Sequence, residues 1–578
     1  MRLRFPLALL LSLLVACGSD ELPKDGGAQV DSAPPSGTCL VDGTTRCDGT
    51  LLVVCRDGAW AEAERCATTC DHTLGCVACP PGTAVCTRDG DSERCLPDGS
   101  GHELEACDPV QGSNCDHSTG RCTGPCARDN LGTSYLGCEY FPTVTGNAVP
   151  ADFEFAVVLS NQGDTVAQIV IEDGALLAPL ALMVAPRDLV VQRLPWVHAL
   201  KACPDRDIID CGAAQNTGAL VTRGAYHIRS TQPITVYQFS PLDYKLGDRF
   251  SYSNDASLLL PTHVWSGRYV TASLASWTGV APWPSQLAIT ALANDTTVTI
   301  TTRANTPGGL GSPPFAVGVP QSVGLHRGDA LQLMAPAGDL TGSLIYADRP
   351  VQVISGHYCA MVPWGYGMCD HIEESMFPVA TLSTRILVTS PALPMAPKGR
   401  EQVVRIIATE ADTTLVYDPP QPLLPTTLRY EGAFLETQQN ASDFQITTDK
   451  RVLVAQYMEG QEAPGSGGTG DPAMALAVAT DQYRQSYLFH APTNYETNYV
   501  NVTAPMGAAV LLDGAPVGGF APVGGSGFGV AKVQLGQGVN GNHTMSGDAP
   551  FGISVYGYGQ YTSYWYPGGL DLATIPIE

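Results

Sequence analysis

The sequence is short of positive charge: 31 Lys and Arg stand against 56 Asp and Glu, a formal net charge of −25. That deficit argues against partners held through phosphates or anionic membrane surfaces, so nucleic acid is not expected as a ligand. The motifs that announce common chemistry are also missing. There is no G-x-S-x-G elbow, H-E-x-x-H zinc helix, Walker loop or G-x-G-x-x-G strand-to-helix turn. The glycines of GGSGFG (Gly524 to Gly529) sit among β-type residues with no helix after them and read as a loop. Long amphipathic helices are absent too, since the apolar stretch 176–197 is broken by Pro179, Pro186 and Pro195 at intervals no helix tolerates. No cysteine follows Cys369.

What is present begins with an address. Arg2 and Arg4 precede an apolar run from Leu7 to Ala16, too short for a permanent membrane span. The run ends in Leu14-Val15-Ala16-Cys17, which resembles the bacterial lipobox, so residues 1–16 are expected to be a lipoprotein signal peptide and Cys17 the lipidated residue. Multiple acyl chains anchor stably where a single chain does not. No later segment approaches eighteen apolar residues, so the membrane is expected to be met only through this anchor. Gly18 and Ser19 follow the cysteine without the aspartate associated with inner-membrane retention. An outer-membrane or cell-surface location in a bacterial envelope is therefore expected. Residues 17–38, polar and rich in Gly, Pro and Ser, read as a flexible tether.

With Cys17 set aside, 18 of the 19 cysteines remain, an even number. Fourteen fall between Cys39 and Cys138, and the rest form two close pairs, Cys203/Cys211 and Cys359/Cys369. Such density suits an oxidising compartment and a disulfide framework. Cys66-x3-Cys70 and Cys76-x2-Cys79 have zinc-like spacing but no matching thiol–histidine pattern, so no metal is expected there. Residues 39–126 carry few large apolar side chains and are read as a small disulfide module, because crosslinks must replace the core it cannot build. Asp89, Asp91 and Glu93 mimic the opening of a calcium loop, but Arg94 and Ser100 occupy the positions that need Gly and Glu.

From about residue 130 the chain reads as strands and turns. Thr296 to Thr301 alternates with Val298 and Ile300 on one face; 234–239, 351–354 and 452–455 are similar runs. Four strands are introduced by related tetrapeptides: Ser230-Thr-Gln-Pro233, Ala347-Asp-Arg-Pro350, Thr448-Asp-Lys-Arg451 and Gly547-Asp-Ala-Pro550. Their last residues lie 117, 101 and 99 positions apart. A second element recurs as Asn294-Asp-Thr-Thr-Val298 and Ala411-Asp-Thr-Thr-Leu415, again 117 apart. Proline is expected at the first residue of each strand it introduces. Each unit of about 100 residues has room for about seven strands, as in a β-sandwich. The expected fold is therefore all-β, with tandem sandwich-like repeats at about 140–260, 261–378, 379–482 and 483–570 of a region spanning 127–578. An eight-bladed propeller is the alternative.

Several ordered stretches across 140–570 carry a family resemblance. They are Asp255-Ala-Ser-Leu-Leu-Leu-Pro-Thr262, His371-Ile-Glu-Glu374, Gly470-Asp-Pro-Ala-Met474, Tyr487 to Pro492, Asn494 to Val502, Ala549-Pro-Phe-Gly552 with Tyr556-Gly557, and Ser563-Tyr-Trp-Tyr-Pro-Gly568. In these the chain resembles the IgGFc-binding protein N-terminal domain family, whose members occur in animal mucus and on bacterial surfaces. The resemblance implies a binding or adhesive protein rather than an enzyme; antibody as ligand is not carried over from the family name. Residues 39–126 lie outside it.

Candidate sites follow. Asp370, His371, Glu373 and Glu374 form the densest ionisable cluster, yet nothing in the sequence pairs them for acid–base work, and no catalytic residue, metal ligand or cofactor is assigned. The Cys359–Cys369 loop contains Trp364 and Tyr366 and should project as a stapled surface loop, where binding residues tend to lie. Trp265, Trp277 and Trp283 lie close in sequence, and a second aromatic cluster, with Tyr564, Trp565 and Tyr566, closes the chain. Exposed rings there could stack on sugars or partner side chains. The expected function is surface binding of extracellular glycoprotein, polysaccharide or another cell. A glycan hydrolase using two separated carboxylates and a purely structural envelope protein are the alternatives.

Overall fold

A computed structural model describes residues 37–202, 216–279, 282–366, 368–393 and 396–573. Cys17, Cys203 and Cys211 lie outside the described residues, as do the signal peptide and most of the tether. Two compact units appear, so that the cysteine-rich segment is shared between them: 37–84 with 93–104 form one, and 85–92 with the chain from 105 onward form the other.

The first unit is built on an antiparallel sheet of Thr45–Asp48, Leu51–Arg56 and Ala59–Arg65, with a hairpin of Thr69–Asp71 and Gly75–Val77. Besides half-cystines, its buried apolar side chains are Leu51, Val53 and Val77. Disulfides Cys39–Cys55, Cys47–Cys70, Cys66–Cys76 and Cys79–Cys95 supply the rest of the restraint. The zinc-like spacings are thus disulfide halves, each bonded outside its own motif.

The second unit contains four β-sandwiches in chain order, and the propeller alternative is not what forms. Each has seven main strands with the same pairing, the third dividing its long strand into two. The key to the repeat is one long strand that belongs to both sheets: Tyr226–Phe239, Leu344–Ala360, the consecutive pair Phe444–Thr448 and Val452–Met458, and Asn542–Gly559. In the second sandwich, 344–351 pairs with Ser266–Val270 and Thr296–Thr301 in one sheet. Residues 351–360 then pair with Ser285–Ala291 and Asp370–Ser375 in the other. The recurring tetrapeptides mark the corner between the two. Proline therefore sits inside the long strand rather than at its start, at a point where leaving one ladder for the next frees the missing N–H from any obligation.

The second residue of each tetrapeptide explains its persistence. Its side chain accepts a backbone N–H from a neighbouring segment in all four sandwiches: Gln168 to Thr231 at 3.0 Å, Thr297 to Asp348 at 2.8 Å, Thr414 to Asp449 at 2.7 Å and Ala509 to Asp548 at 2.9 Å. Two of these donors belong to the recurring Asp-Thr-Thr element. Its own Asp295 and Asp412 adopt left-handed φ of 55° and 54° in the turn before the strand, a conformation Asp tolerates better than most residues. The two sequence repeats are the two halves of one contact.

The final strands of the sandwiches, Ala256–Leu259, Asp370–Ser375, Met474–Leu476 and Thr562–Pro567, gather at a common hub, each against two others. The chain end closes the ring, with the Leu572 amide donating to Thr133 O at 2.6 Å and the Tyr135 amide to Leu570 O at 3.2 Å. One continuous apolar core runs through all four sandwiches, from Tyr135 to Leu572.

Candidate functional site

At the hub a single carboxylate holds the repeats together. Asp255 Oδ1 accepts the amides of Ala256 (2.9 Å) and Trp565 (3.2 Å), and Oδ2 those of Glu373 and Met474, both at 3.1 Å. Those four donors come one from each sandwich. Burial pushes this carboxyl well above the usual range against the pull of the four amides.

The ionisable cluster singled out in the sequence lies around this pin, and Asp370, His371, Glu373 and Glu374 are all fully buried. Their partners are internal. Glu373 accepts hydrogen bonds from Thr145 and Gln238 and lies 3.2 Å from His371 Nε2. Glu374 Oε1 accepts Ser257 Oγ at 2.7 Å and the Leu258 amide at 3.2 Å; Asp370 Oδ2 accepts Thr562 Oγ1 at 2.8 Å. Burial raises the Asp370 and Glu374 carboxyls well above their ordinary values. Groups sealed from solvent and bonded across sandwich boundaries join repeats rather than meet a substrate. Among the described residues no group of three or more His, Cys, Asp or Glu is placed to hold a metal ion.

The aromatic residues divide sharply. Tyr564, Trp565 and Tyr566, expected as binding residues, are fully buried. Tyr564 Oη donates to Asn498 Oδ1 at 2.8 Å, Trp565 Nε1 donates to Ser554 Oγ, and Tyr566 Oη donates to His490 O. A hub strand is covered on both faces, so the alternation that would expose every second ring does not operate. These three residues have no surface to offer a ligand. Trp265 is buried as well, and Trp277 and Trp283 stack on each other at 4.6 Å.

Trp364 and Tyr366 are different. They are 66% and 41% exposed, with Met368 at 45%, on the loop closed by the Cys359–Cys369 disulfide. The disulfide itself is buried, packed with Ala148, Met334 and Tyr358, so the loop rises from a fixed base. Gly365, at φ 94°, allows the tight turn that sets both rings outward. This loop is the last connection of the second sandwich, and the corresponding connections of the third and fourth adjoin it in turn around one end. Val362 O accepts the Gly460 amide at 2.7 Å, Gln461 Oε1 accepts the Tyr561 amide at 2.9 Å, and the Tyr561 ring lies 6.3 Å from that of Tyr252. Tyr252 is 39% exposed. A large aromatic buries about 150–250 Å² when covered, so a partner covering the open part of Trp364 gains roughly 2–4 kcal/mol. Tyr252 carries no sequence signal that separates it from the other tyrosines; only the ring of loops brings it to this face.

Comparison with known proteins bears on this unit. The family model described as IgGFc binding protein matches residues 255–557, which is 303 of 578 residues, and the match begins at the hub carboxylate. Among curated proteins, the human (Homo sapiens) IgGFc-binding protein is 26% identical over 230 residues, covering 39% of this chain. The chain spans only 4% of that relative's length.

Proposed function

This chain belongs to the IgGFc-binding protein family, a family of binding rather than catalytic domains, and on that premise we propose that it is a lipid-anchored surface protein that captures an extracellular glycoprotein or polysaccharide. The observation that carries the reading is the pair of exposed rings, Trp364 and Tyr366, on a disulfide-stapled loop at the end where the sandwich connections meet. Flat apolar rings over a rigid base bury area at little ordering cost, and they pack against sugar faces and aromatic or aliphatic side chains alike. Anchoring through Cys17 and a bacterial cell-surface location complete the proposal and rest on the lipobox resemblance.

The test is retention of the detergent-extracted full chain on immobilised mucin, on extracellular polysaccharide from producer cells, and on the cells themselves. Saturable retention is expected on at least one support, reduced tenfold or more by Trp364→Ala with Tyr366→Ala. Retention that the double substitution leaves unchanged would refute the loop as the binding site. Separately, Cys17→Ser should release the protein or leave it unprocessed; unchanged membrane fractionation of a normally processed chain would refute lipidation.

A further inference from the structure

A cleft of about 880 Å³ opens beside the first sandwich, within the size range of ligand sites, and its chemistry is unlike that of the aromatic loop face. On one side, alternate residues His227 and Arg229 of Tyr226–Phe239 face the same way. On the other lie 89–91 and 106–115, braced by Cys86–Cys115 and Cys107–Cys122.

The cations of this cleft are already neutralised. Arg223 pairs with Asp173 at 2.6 Å; Arg229 pairs with Glu172 at 2.8 Å and with Asp108 at 3.0 Å; Arg327 pairs with Glu139. His227 bridges Glu139 (2.8 Å) and Glu172 (3.1 Å). Burial pushes the Glu139 carboxyl up, but the His227 hydrogen bond and the Arg327 charge outweigh it and hold the group below its ordinary value.

Ligand classes can be eliminated against this lining. Three guanidinium groups face six carboxylates, Asp89 and Asp91 being the two not matched to an arginine, so an anion meets net repulsion. No metal-holding group is placed here among the described residues. Ala106, Pro109 and two half-cystines are the apolar side chains of the lining, so its remaining carbon surface belongs to the stems of charged and polar residues, and a hydrocarbon seated there would strip water from their heads. A cation is drawn only to the surplus carboxylates Asp89 and Asp91, whereas over the rest of the lining each carboxylate already faces a guanidinium and the two together form adjacent donors and acceptors with capacity to spare. A guanidinium has five N–H groups and a carboxylate about four lone-pair sites, more than their ion pairs use, and Arg229 Nε is buried without a partner. Vicinal hydroxyls, each able to donate and accept, match such pairs without bringing charge.

We infer that this cleft binds an uncharged oligosaccharide through hydrogen bonds to its guanidinium–carboxylate pairs. The site does not depend on the aromatic loop, and each can fail without the other.

The test is calorimetric titration of the full chain with neutral tetrasaccharides of glucose, galactose, mannose and N-acetylglucosamine. A deacetylated glucosamine tetramer supplies the cationic arm and a hyaluronan tetrasaccharide the anionic arm. One-to-one binding of at least one neutral tetramer is expected, insensitive to added NaCl because no net charge is screened. Arg223→Gln combined with Asp173→Asn removes one guanidinium–carboxylate pair and should weaken it tenfold or more, and Trp364→Ala should leave it unchanged. Arg223 is 63% exposed, and Asn tolerates the left-handed φ of 66° at 173 as Asp does, so the double variant should retain the wild-type thermal transition. The inference is overturned if no neutral tetramer binds up to its solubility limit, if only the cationic or only the anionic tetramer binds, or if binding ignores the cleft substitutions.

Discussion

Residues 37–84 with 93–104 and the third and fourth sandwiches solve the same problem with opposite means. The former bury three aliphatic side chains and depend on four disulfides; the latter contain no cysteine and bury dozens of aliphatic and aromatic groups. Crosslinks act mainly by limiting the unfolded chain, at about 2–4 kcal/mol each, whereas burial acts on the folded state through area. Reduction should therefore separate the two most severely. With excess dithiothreitol, amides of residues 45–77 should lose all hydrogen-exchange protection while those of 402–458 and 497–558 keep theirs. Loss of protection in both would mean that the sandwiches draw their stability from the disulfide-bonded part.

At the hub, one carboxylate does for four sandwiches what disulfides do in the smaller unit. Asp255→Ala leaves four buried amides without an acceptor and should cost about 3 kcal/mol or more, since each unsatisfied buried group costs roughly 1–3 kcal/mol. Asp255→Asn keeps one acceptor oxygen and should cost distinctly less. Urea unfolding monitored by tryptophan fluorescence reads both; equal and negligible shifts would show that the hub is held by packing alone.

Much of this architecture was legible because the hub writes itself into the sequence. Of the stretches that carry the family resemblance, Asp255 to Thr262, His371 to Glu374, Gly470 to Met474 and Ser563 to Gly568 lie on or beside the final strands at the hub, while the others lie on further strands of the fourth sandwich. The tetrapeptides were visible for a similar reason, since an acceptor side chain is required at one corner position. Direction was harder to read. Period-two alternation assigns one face to water, yet Tyr564, Trp565 and Tyr566 sit where four sandwiches cover both faces, and only the assembled ring reveals that. Proline at a strand start and proline at a sheet corner look alike in sequence, because both reflect an N–H without a ladder partner. The cleft was invisible because its charges come from segments more than 200 residues apart, Asp89 and Arg327 at the extremes.

Acidity separates the two regions by sign. Asp71 and Asp98, exposed in the smaller unit, accept backbone N–H bonds from Thr73 and Ser100 that hold their carboxyls below 3.8; their contribution is present above that value and fades as pH falls. Asp471, beside the hub, is pushed by burial to about 7, so its effect runs the other way. The unfolded chain releases this proton first as pH rises from 3.8, and the folded state loses stability until about pH 7, at a slope approaching about 1.4 kcal/mol per pH unit. Asp471→Asn should remove that share of the slope when urea midpoints are compared between pH 5 and 8. An unchanged slope would place the titration elsewhere.

The smallest effect on stability is expected at the loop proposed to matter most for binding. Trp364 and Tyr366 leave most or much of their surface in water and rest on a base fixed by the Cys359–Cys369 disulfide rather than by the rings themselves. Truncating Trp364 to Ala removes little buried area and opens no cavity, so the unfolding free energy from urea titration should stay within about 0.5 kcal/mol of wild type. Trp565→Ala empties a fully buried site and should cost about 3–5 kcal/mol. The contrast separates rings that hold the hub from rings kept in water for another purpose. A large loss at Trp364 would place it among the structural rings, and any drop in ligand retention from its removal would then have to be ascribed to misfolding rather than to a missing contact.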